Sequence, residues 1–400
     1  MNKLLYTLPL LLLTGCLIEG KSNNDTTINV GAEFSNFDPQ LVMASASPDY
    51  ATSDVLIVGE TDVDTHALIE GKFATTNPSD IRLAAHNHSI YRLGRFSYDS
   101  ATRIDMLFAF DLLKVDWQYS VLGEDASANP YDLVVKDKST AYVSRYDSKT
   151  LWKVNPNAKN QDEFLIKEID LSAYASASTG VPFMADMQLI DDKLFVVLVR
   201  LDASWGATAN SKVVVIDTNS DTIVDTDTTT SGTQVIDLPV RNAGDFWYDG
   251  TNLYLSAVGD AYNYNDSTYK YTGGVVKLNP TDYSVSLEVD DGTTENAPYG
   301  NITNVAVHNG DIYFTGSISY GNDKLWVLRQ GNTTAIEISL GSGTFNISDV
   351  SVRNDNVYVS VFANATSGRS AGLKIVNPQS ALVTDFIETD LNPTQILVIE

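Results

Sequence analysis

The sequence has a single cysteine, Cys16, and no apolar run as long as a membrane-spanning helix. One cysteine excludes an intramolecular disulfide, because a disulfide joins two cysteines. The apolar run from Leu4 to Leu13 is about half as long as the stretch that a bilayer core requires. The sequence therefore predicts neither a disulfide-stapled domain nor an integral membrane helix.

Basic residues are also scarce: 26 Lys and Arg stand against 51 Asp and Glu, for a formal net charge of -25 and a pI near 4.3. No run of Lys or Arg forms the positive stripe that binds phosphates, so we expect no nucleic-acid partner. The acidity is typical of a soluble, colloidally stable surface, and it also suits the attraction of cations or cationic ligands. Both interpretations stay open at this stage.

Several common catalytic motifs are missing as well. The sequence contains no H-E-x-x-H, no phosphate-binding glycine loop and no EF-hand spacing. Of the four histidines, His86, His88 and His308 lie around predicted turns. His66 ends a D-x-D-x-H segment that is either a set of metal ligands or a solvated turn. We therefore predict no catalytic residue.

The first residues have the features of a secretory signal peptide. Lys3 supplies a short basic segment, Leu4 to Leu13 an apolar segment, and Leu13-Thr14-Gly15-Cys16 a cleavage site of small residues. These last four residues resemble a bacterial lipobox, in which the cysteine is lipidated and becomes the first residue of the mature protein. The alternative is an ordinary signal peptide followed by a chance cysteine.

The lipobox resemblance implies that residues 1–15 are a lipoprotein signal peptide, cleaved before a lipidated Cys16. Several acyl chains would anchor the protein durably in the membrane. Leu17, where an aspartate would retain the protein, implies sorting to the outer membrane of the cell envelope. Residues 16–40, the lipidated cysteine and a polar segment rich in Asn, Asp, Thr and Ser, are predicted to be a flexible tether.

A strand start recurs seven times along the rest of the chain. At each recurrence a polar residue opens an apolar strand, with a period of roughly 40 to 60 residues. These polar residues are Asp80, Asp132, Asp186, Asp245, Asn304, Asp349 and Gln395. Self-similarity at this period is typical of solenoids, propellers and arrays.

Each repeat continues as a series of short strands. The second strand carries an aromatic residue at a fixed offset, and these aromatics are predicted to lie in the core. They are Tyr91, Tyr142, Phe195, Tyr254, Tyr313 and Tyr358. Short polar turns such as "NGD" at 309–311 and "NDN" at 354–356 predict hairpins between the first and second strands.

Counting the repeats predicts a closed ring. Six complete units precede a seventh inner strand, Gln395 to Ile399, at the end of the chain. Residues 53–62 and 65–72 have the pattern of its third and fourth strands. We therefore predict that residues 41–400 form one all-β domain. It is a seven-bladed β-propeller of four-stranded antiparallel blades, with one blade closed by N- and C-terminal strands.

Residues 212–256 resemble the YVTN/YncE-like propeller repeat, whose units read V-x-V-I-D-T, a second strand, and a D-G-x-x-L-Y-V hairpin. Here "KVVVIDTNSDT" is followed by "DGTNLYLS", and the match covers this one unit well. With the lipobox, the resemblance implies a bacterial surface lipoprotein. Such propellers include binders that pass ligands to TonB-dependent outer-membrane transporters.

Strand direction sorts the loops onto two faces. If the first strand runs from top to bottom, the second-to-third-strand loops lie on top, and the long insertions are of this type. Ligand-binding candidates on these loops, chosen chiefly because aromatic side chains offer flat contact area, are Trp205, Tyr262, Tyr264, Tyr269, Tyr271, Tyr320 and Arg369.

The repeated polar residues are expected at the mouth of the central channel, on the same face. One interpretation is structural, in which each side chain accepts backbone N–H groups and sets a strand start. The other is that several carboxylates converge and bind a hard cation such as Ca²⁺. Carboxylates crowded together would raise each other's pKa, so they must be spread apart, hydrogen-bonded or metal-bound.

These expectations favour a binding protein rather than an enzyme. The first hypothesis is an outer-membrane lipoprotein that captures a small molecule or metal chelate on its top face for a transporter. The alternatives are a protein-protein interaction scaffold in envelope assembly and a propeller hydrolase or lyase, because such enzymes assemble their sites from separate blades. The ligand, whether small molecule or protein, is not identified by the sequence.

Overall fold

The structure is a computed structural model that describes residues 37–60, 66–71, 79–106, 113–261 and 270–399. These residues form seven antiparallel sheets, and the innermost strands of successive sheets contact one another around a closed ring. The predicted seven-bladed β-propeller is confirmed. No helix within the described ranges is long and apolar enough to cross a membrane.

The strands are numbered in chain order and the blades from the N-terminus. Blade 1 contains β29 (Asn392–Val398), β1 (Asp38–Ala46), β2 (Ser53–Glu60) and β3 (Ala67–Ile69), from the channel outward. Blade 2 contains β4 (Ile81–His86), β5 (Ser89–Gly94), β6 (Ser100–Met106) and β7 (Leu113–Ser120). Blade 3 contains β8 (Pro130–Asp137), β9 (Thr140–Arg145), β10 (Thr150–Val154) and β11 (Leu165–Asp170).

The other blades repeat this order. Blade 4 contains β12 (Met184–Ile190), β13 (Lys193–Leu198), β14 (Lys212–Asp217) and an outer strand split into β15 (Thr222–Ile223) and β16 (Ile236–Asp237). Blade 5 contains β17 (Ala243–Tyr248), β18 (Leu253–Ala257), β19 (Gly274–Leu278) and β20 (Val285–Asp290). Blade 6 contains β21 (Asn301–His308), β22 (Asp311–Ser319), β23 (Asn322–Leu328) and β24 (Ile336–Ile338). Blade 7 contains β25 (Ile347–Arg353), β26 (Asn356–Val361), β27 (Ala371–Asn377) and β28 (Leu382–Thr389). Short 3₁₀ turns lie at Gln161–Glu163 and Ser172–Tyr174.

Blade 1 is closed by both ends of the chain, as predicted. The C-terminal strand β29 pairs with β1, with Val42 opposite Leu397 and Met43 opposite Ile396. The sequence analysis identified the third and fourth strands of this blade but not the second strand, β1. Because β1 contains Ala, Ser and Met where other second strands carry an aromatic residue, its composition is a weak strand signal. It begins at Asp38, so residues 38–40 of the segment assigned to the tether belong to the propeller.

Local turn chemistry explains why the first and second strands pair. Asn309 and Gly310 have φ values of 50° and 83°, and His308 pairs with Asp311 across them. Two consecutive residues with positive φ form the type I′ turn that matches the twist of a hairpin. All turns of this class lie on the bottom face, the face where the inner strands end.

The core lies between blades and is built from the repeated aromatics. Each predicted second-strand aromatic is buried, with at most 5% of its surface exposed. Blade-to-blade contacts also include Trp117, whose ring lies 5.3 Å from that of Phe164 and whose Nε1 donates to the carbonyl of Pro156 in the next blade. The packing leaves two regions free for binding, the central channel and the loops at its ends.

Candidate ligand-binding site

The repeated polar residues lie around the central channel, near the top of the inner strands. The pairing between first and second strands shifts register beside most of them, as it does between Pro130 and Asp132 and between Ile347 and Asp349. A β-bulge of this kind re-aims a side chain. The residues brought to the channel in this way are Asp132, Asp186, Asp245, Asn304, Asp349 and Gln395.

Four of these side chains form hydrogen bonds between one blade and the next. An Asp132 oxygen accepts the backbone N–H of Met187 at 3.1 Å, and an Asp186 oxygen accepts that of Phe246 at 2.7 Å. In the same way Asp349 accepts from Ile396 at 2.7 Å, and Gln395 accepts from Leu83 at 2.8 Å. The structural interpretation of the repeat therefore holds for these positions, with the N–H donated by the following blade.

Blade 2 departs from the predicted ring of polar side chains around the channel. Its inner strand pairs with β5 without a register shift, and Arg82, not Asp80, takes the place equivalent to the other ring residues. Asp80 lies outside the channel, where its carboxylate is half exposed and 3.0 Å from Arg95. The sequence does not separate the two candidates, because an apolar residue follows both: Ile81 follows Asp80 and Leu83 follows Arg82.

Arg82 spans the channel from blade 2 to blade 5. Its Nη2 lies 2.9 Å from the carboxylate of Asp245, which also accepts the hydroxyl hydrogen of Tyr131 at 3.0 Å. The guanidinium stacks 4.0 Å from the centroid of the Tyr131 ring. Unlike the other aspartates, Asp245 does not accept a backbone N–H group of the next blade, because it forms this cross-channel ion pair instead.

The surroundings of the ring shift the pKa of its carboxyls upward. Burial raises the pKa of Asp132 to about 6 and that of Asp349 to about 7. Burial, Asp132 and Asp245 together hold the pKa of Asp186 well above its ordinary value. The guanidinium of Arg82 opposes these shifts at all three carboxyls. The ring is thus a set of spread, hydrogen-bonded acids balanced by one cation.

Binding of Ca²⁺ by this ring stays a prediction. Across the described ranges, no group of three or more His, Cys, Asp or Glu side chains is arranged to hold a metal ion. The carboxylates are distributed around the channel wall, and backbone N–H groups already occupy several of their oxygens.

The top face carries a set of exposed aromatic side chains. Every aromatic residue that is exposed in the described chain lies on a loop between a second and a third strand. This top aromatic set is Tyr50 (60% exposed), Phe96 (63%), Tyr98 (41%), Trp205 (61%) and Tyr320 (96%). Trp205 and Tyr320 were predicted from the sequence. Tyr50, Phe96 and Tyr98 were not, because they lie on short loops without insertions.

The remaining predicted ligand residues are placed differently. Tyr262, Tyr264 and Tyr269 fall outside the described residues. Tyr271 is half-buried, with the ammonium of Lys270 at 5.2 Å from its ring centroid. Arg369 is also half-buried, and its guanidinium stacks 4.2 Å from Phe345 while donating to the carbonyl of Thr344.

The bottom face has a different chemistry. A cavity of about 300 Å³ lies between blades 2 and 3, next to His86 and His88. Arg103 lines this cavity, and its guanidinium already donates to Ser89 and Asn157. His308 lies beside Asp355 at 3.1 Å, away from this cavity.

No protein-family model matches the sequence, and no curated protein matches it. The fold is similar to that of a predicted 6-phosphogluconolactonase from Bacteroides uniformis, with a TM-score of 0.57 and 10% identity over 90% of this chain and 99% of that one. A second such protein, from Bacteroides fragilis, gives a TM-score of 0.55 and 15% identity over 92% and 99% of the two chains. A streptogramin B lyase gives a TM-score of 0.51 and 13% identity over 82% of this chain and 93% of that one. At these identities the likeness establishes the propeller fold alone.

Proposed function

We propose that this protein is a non-catalytic binding protein that captures its ligand on the top face of the propeller. The observation that carries the proposal is the one-sided distribution of the top aromatic set. Exposed aromatic rings are costly in water and are typical of binding surfaces, where they supply much of the affinity. The polar side chains around the central channel lie on the same side and add polar groups at the centre of this surface.

The channel chemistry supports binding rather than catalysis. A general acid or base needs a free oxygen or nitrogen within reach of the substrate. Both oxygens of Asp132 and Asp349 and one oxygen of Asp186 accept backbone N–H groups, and Asp245 is held by Arg82 and Tyr131. These contacts fix the ring as a rigid part of the fold. The hydrolase or lyase alternative has no comparable support in the described residues.

The top face is expected to account for ligand retention. Trp205→Ser combined with Tyr320→Ser should weaken retention of bound compounds at least about tenfold, because aromatic hot spots contribute about 2 kcal/mol or more each. The parent and variant would be incubated with an envelope extract, washed, and analysed for retained small molecules by mass spectrometry.

Two controls accompany this measurement. Val115→Ser with Leu287→Ser removes exposed apolar surface from the outer strands, and His308→Ser changes the bottom face. Both variants should retain what the parent retains. Equal retention by the top-face variant, loss through His308→Ser alone, or no retained compound in the parent would each refute top-face binding.

We further propose that Cys16 anchors the propeller to the outer membrane, where the captured ligand passes to a TonB-dependent transporter. The proposal rests on the lipobox-like residues before Cys16 and on the tether that would hold the binding face away from the lipid surface. A scaffold in envelope assembly remains the second candidate, since the top aromatic set is also suited to a protein partner.

The substitution Cys16→Ser is expected to release the protein from membranes or to stall its processing. No other cysteine in the sequence is available for the lipid. Membrane and soluble fractions would be compared by immunoblotting, with Ser22→Cys in the Cys16→Ser background as a test of position. Membrane recovery of Cys16→Ser with unchanged processing would contradict the anchor.

A further inference from the structure

A cavity of about 310 Å³ opens on the top face between blades 5, 6 and 7. Its volume is at the lower end of the range for small-molecule sites. Its wall combines aliphatic groups such as Val258 and Ile318 with hydroxyl and amide groups such as Ser317, Ser319 and Asn346. It is separate from the central channel and lies under one member of the top aromatic set.

That aromatic residue is Tyr320, at the tip of the hairpin formed by β22 and β23. Ser319 pairs with Asn322, so only Tyr320 and Gly321 form the turn. The φ of 71° at Gly321 is one that glycine adopts without strain. The tight turn lets the hairpin project from the face and leaves 96% of Tyr320 exposed while the residue borders the cavity.

Lys270 supplies a positive charge on the opposite wall. Within the described residues no carboxylate pairs with its ammonium, whose one recorded contact is the ring of Tyr271. The backbone around it is fixed, because Asn301 donates to the carbonyl of Lys270 at 2.7 Å and to that of Val258 at 3.1 Å. A fixed backbone lowers the entropy that binding must cost.

The carboxyl group in the cavity wall, that of Asp323, forms no ion pair with Lys270. Asp323 is 8% exposed, and one of its oxygens accepts the N–H of Ile347 at 2.8 Å. Among the residues that the structure describes, the cavity therefore presents one cation without a carboxylate partner, one exposed aromatic ring and several neutral hydrogen-bonding groups. Screening over about 8 Å limits the opposing influence of the protein's distant negative charges.

We propose that this cavity binds an acidic sugar, with its ring against Tyr320 and its carboxylate on Lys270. This rests on the proposed top-face function and names a ligand class for it. A saccharide ring offers a C–H face for the tyrosine and hydroxyls for Ser317, Ser319 and Asn346. An aromatic acid of the same size would leave these polar groups unpaired, which costs affinity.

Glucuronate, glucose and benzoate are the probes for this site. Titration of the full mature chain, followed by saturation-transfer NMR and calorimetry, should show glucuronate binding at least about tenfold more tightly than either of the others. Glucose lacks the carboxylate for Lys270, and benzoate lacks the hydroxyls for the polar wall. Lys270→Met keeps the apolar stem and should remove this preference for glucuronate over glucose. Tyr320→Ser should weaken glucuronate binding, and Tyr320→Phe should restore it.

Lys149→Met is the matched control, because Lys149 is an exposed lysine on the top face of blade 3, outside the cavity. It should bind glucuronate as the parent does. Absence of glucuronate binding, equal binding of glucose, or an unchanged Lys270→Met variant would overturn the acidic-sugar site. If such a failure accompanies top-face-dependent retention of envelope compounds, the ligand class is wrong and the proposed function stands. If retention also fails, both proposals fall.

Discussion

Removal of residues 395–400 is expected to destabilise the propeller by more than about 4 kcal/mol or to leave it insoluble. This truncation deletes most of β29 with the buried Ile396, which is 5% exposed, and the buried Ile399 that follows the strand, which is 8% exposed. Each buried isoleucine lost from a core costs about 2–5 kcal/mol. The deletion also leaves the inner edge of β1 unpaired, which favours aggregation.

The same truncation removes contacts to both neighbouring blades. Ile396 donates its N–H to Asp349 of blade 7, and Gln395 bonds to Leu83 of blade 2 through both its oxygen and its nitrogen. The ring of blades would therefore open at blade 1 and lose the hydrogen bonds that join this blade to blades 7 and 2. Thermal unfolding followed by circular dichroism would measure the effect, and a melting temperature within about two degrees of the parent would contradict closure by both termini.

A circular permutant provides the matched control. The N–H of Ile399 donates to the carbonyl of Gln40 at 3.0 Å, so a short linker can join the C-terminus to residue 37. New termini would be placed in the exposed segment 227–233 of blade 4. Because this permutant keeps every strand of blade 1, we expect it to fold with nearly the parent's stability. Failure of the permutant alone would point to the new termini rather than to blade 1.

The blade count was predictable because propeller repeats are local. Each first-to-second-strand hairpin is encoded by its own turn, such as Asn309-Gly310, and by a buried aromatic such as Tyr313. These signals recur within a few residues and need no knowledge of distant contacts. The strand β1 was missed because its inner partner, β29, lies at the far end of the chain, and pairing rather than propensity makes it a strand.

The site was less predictable because it depends on contacts between distant blades. Whether an aspartate such as Asp245 binds the next blade or crosses the channel depends on Arg82, which is 163 residues away in the sequence. The sequence pattern placed Asp80 in the ring, because the alternation of polar and apolar residues fits Asp80 and Arg82 equally. Exposure of Tyr50 and Phe96 likewise follows from loop conformation, which short loops do not reveal in their composition.

The second large effect is expected from Arg82→Leu. The pair with Asp245 is partly exposed, with 18% and 39% of the two side chains accessible, so its loss is expected to cost about 2–3 kcal/mol, between the values for surface and buried pairs. Here Asp245 would lose its cation, and the pKa values of Asp132, Asp186 and Asp349 would rise further without the guanidinium. Arg95→Leu is the control: it breaks the more exposed ion pair with Asp80 in the same blade and should cost less than about 1 kcal/mol.

The pH dependence distinguishes this electrostatic role from simple packing. A carboxyl whose folded pKa is raised binds more protons in the folded state, so its contribution to stability falls as pH rises from its unfolded pKa near 4 to its folded value. For Asp132 and Asp349 this window extends to about pH 6 and 7, and Arg82→Leu would extend it upward. Urea unfolding should therefore show a deficit of about 2–3 kcal/mol at pH 8. At pH 4.5, where these carboxyls are protonated in the folded state, the deficit should shrink to about 1 kcal/mol from lost hydrogen bonds. An equal deficit at both pH values would mean that Arg82 acts by packing, and a deficit no larger than that of Arg95→Leu would refute the cross-channel pair as a source of stability.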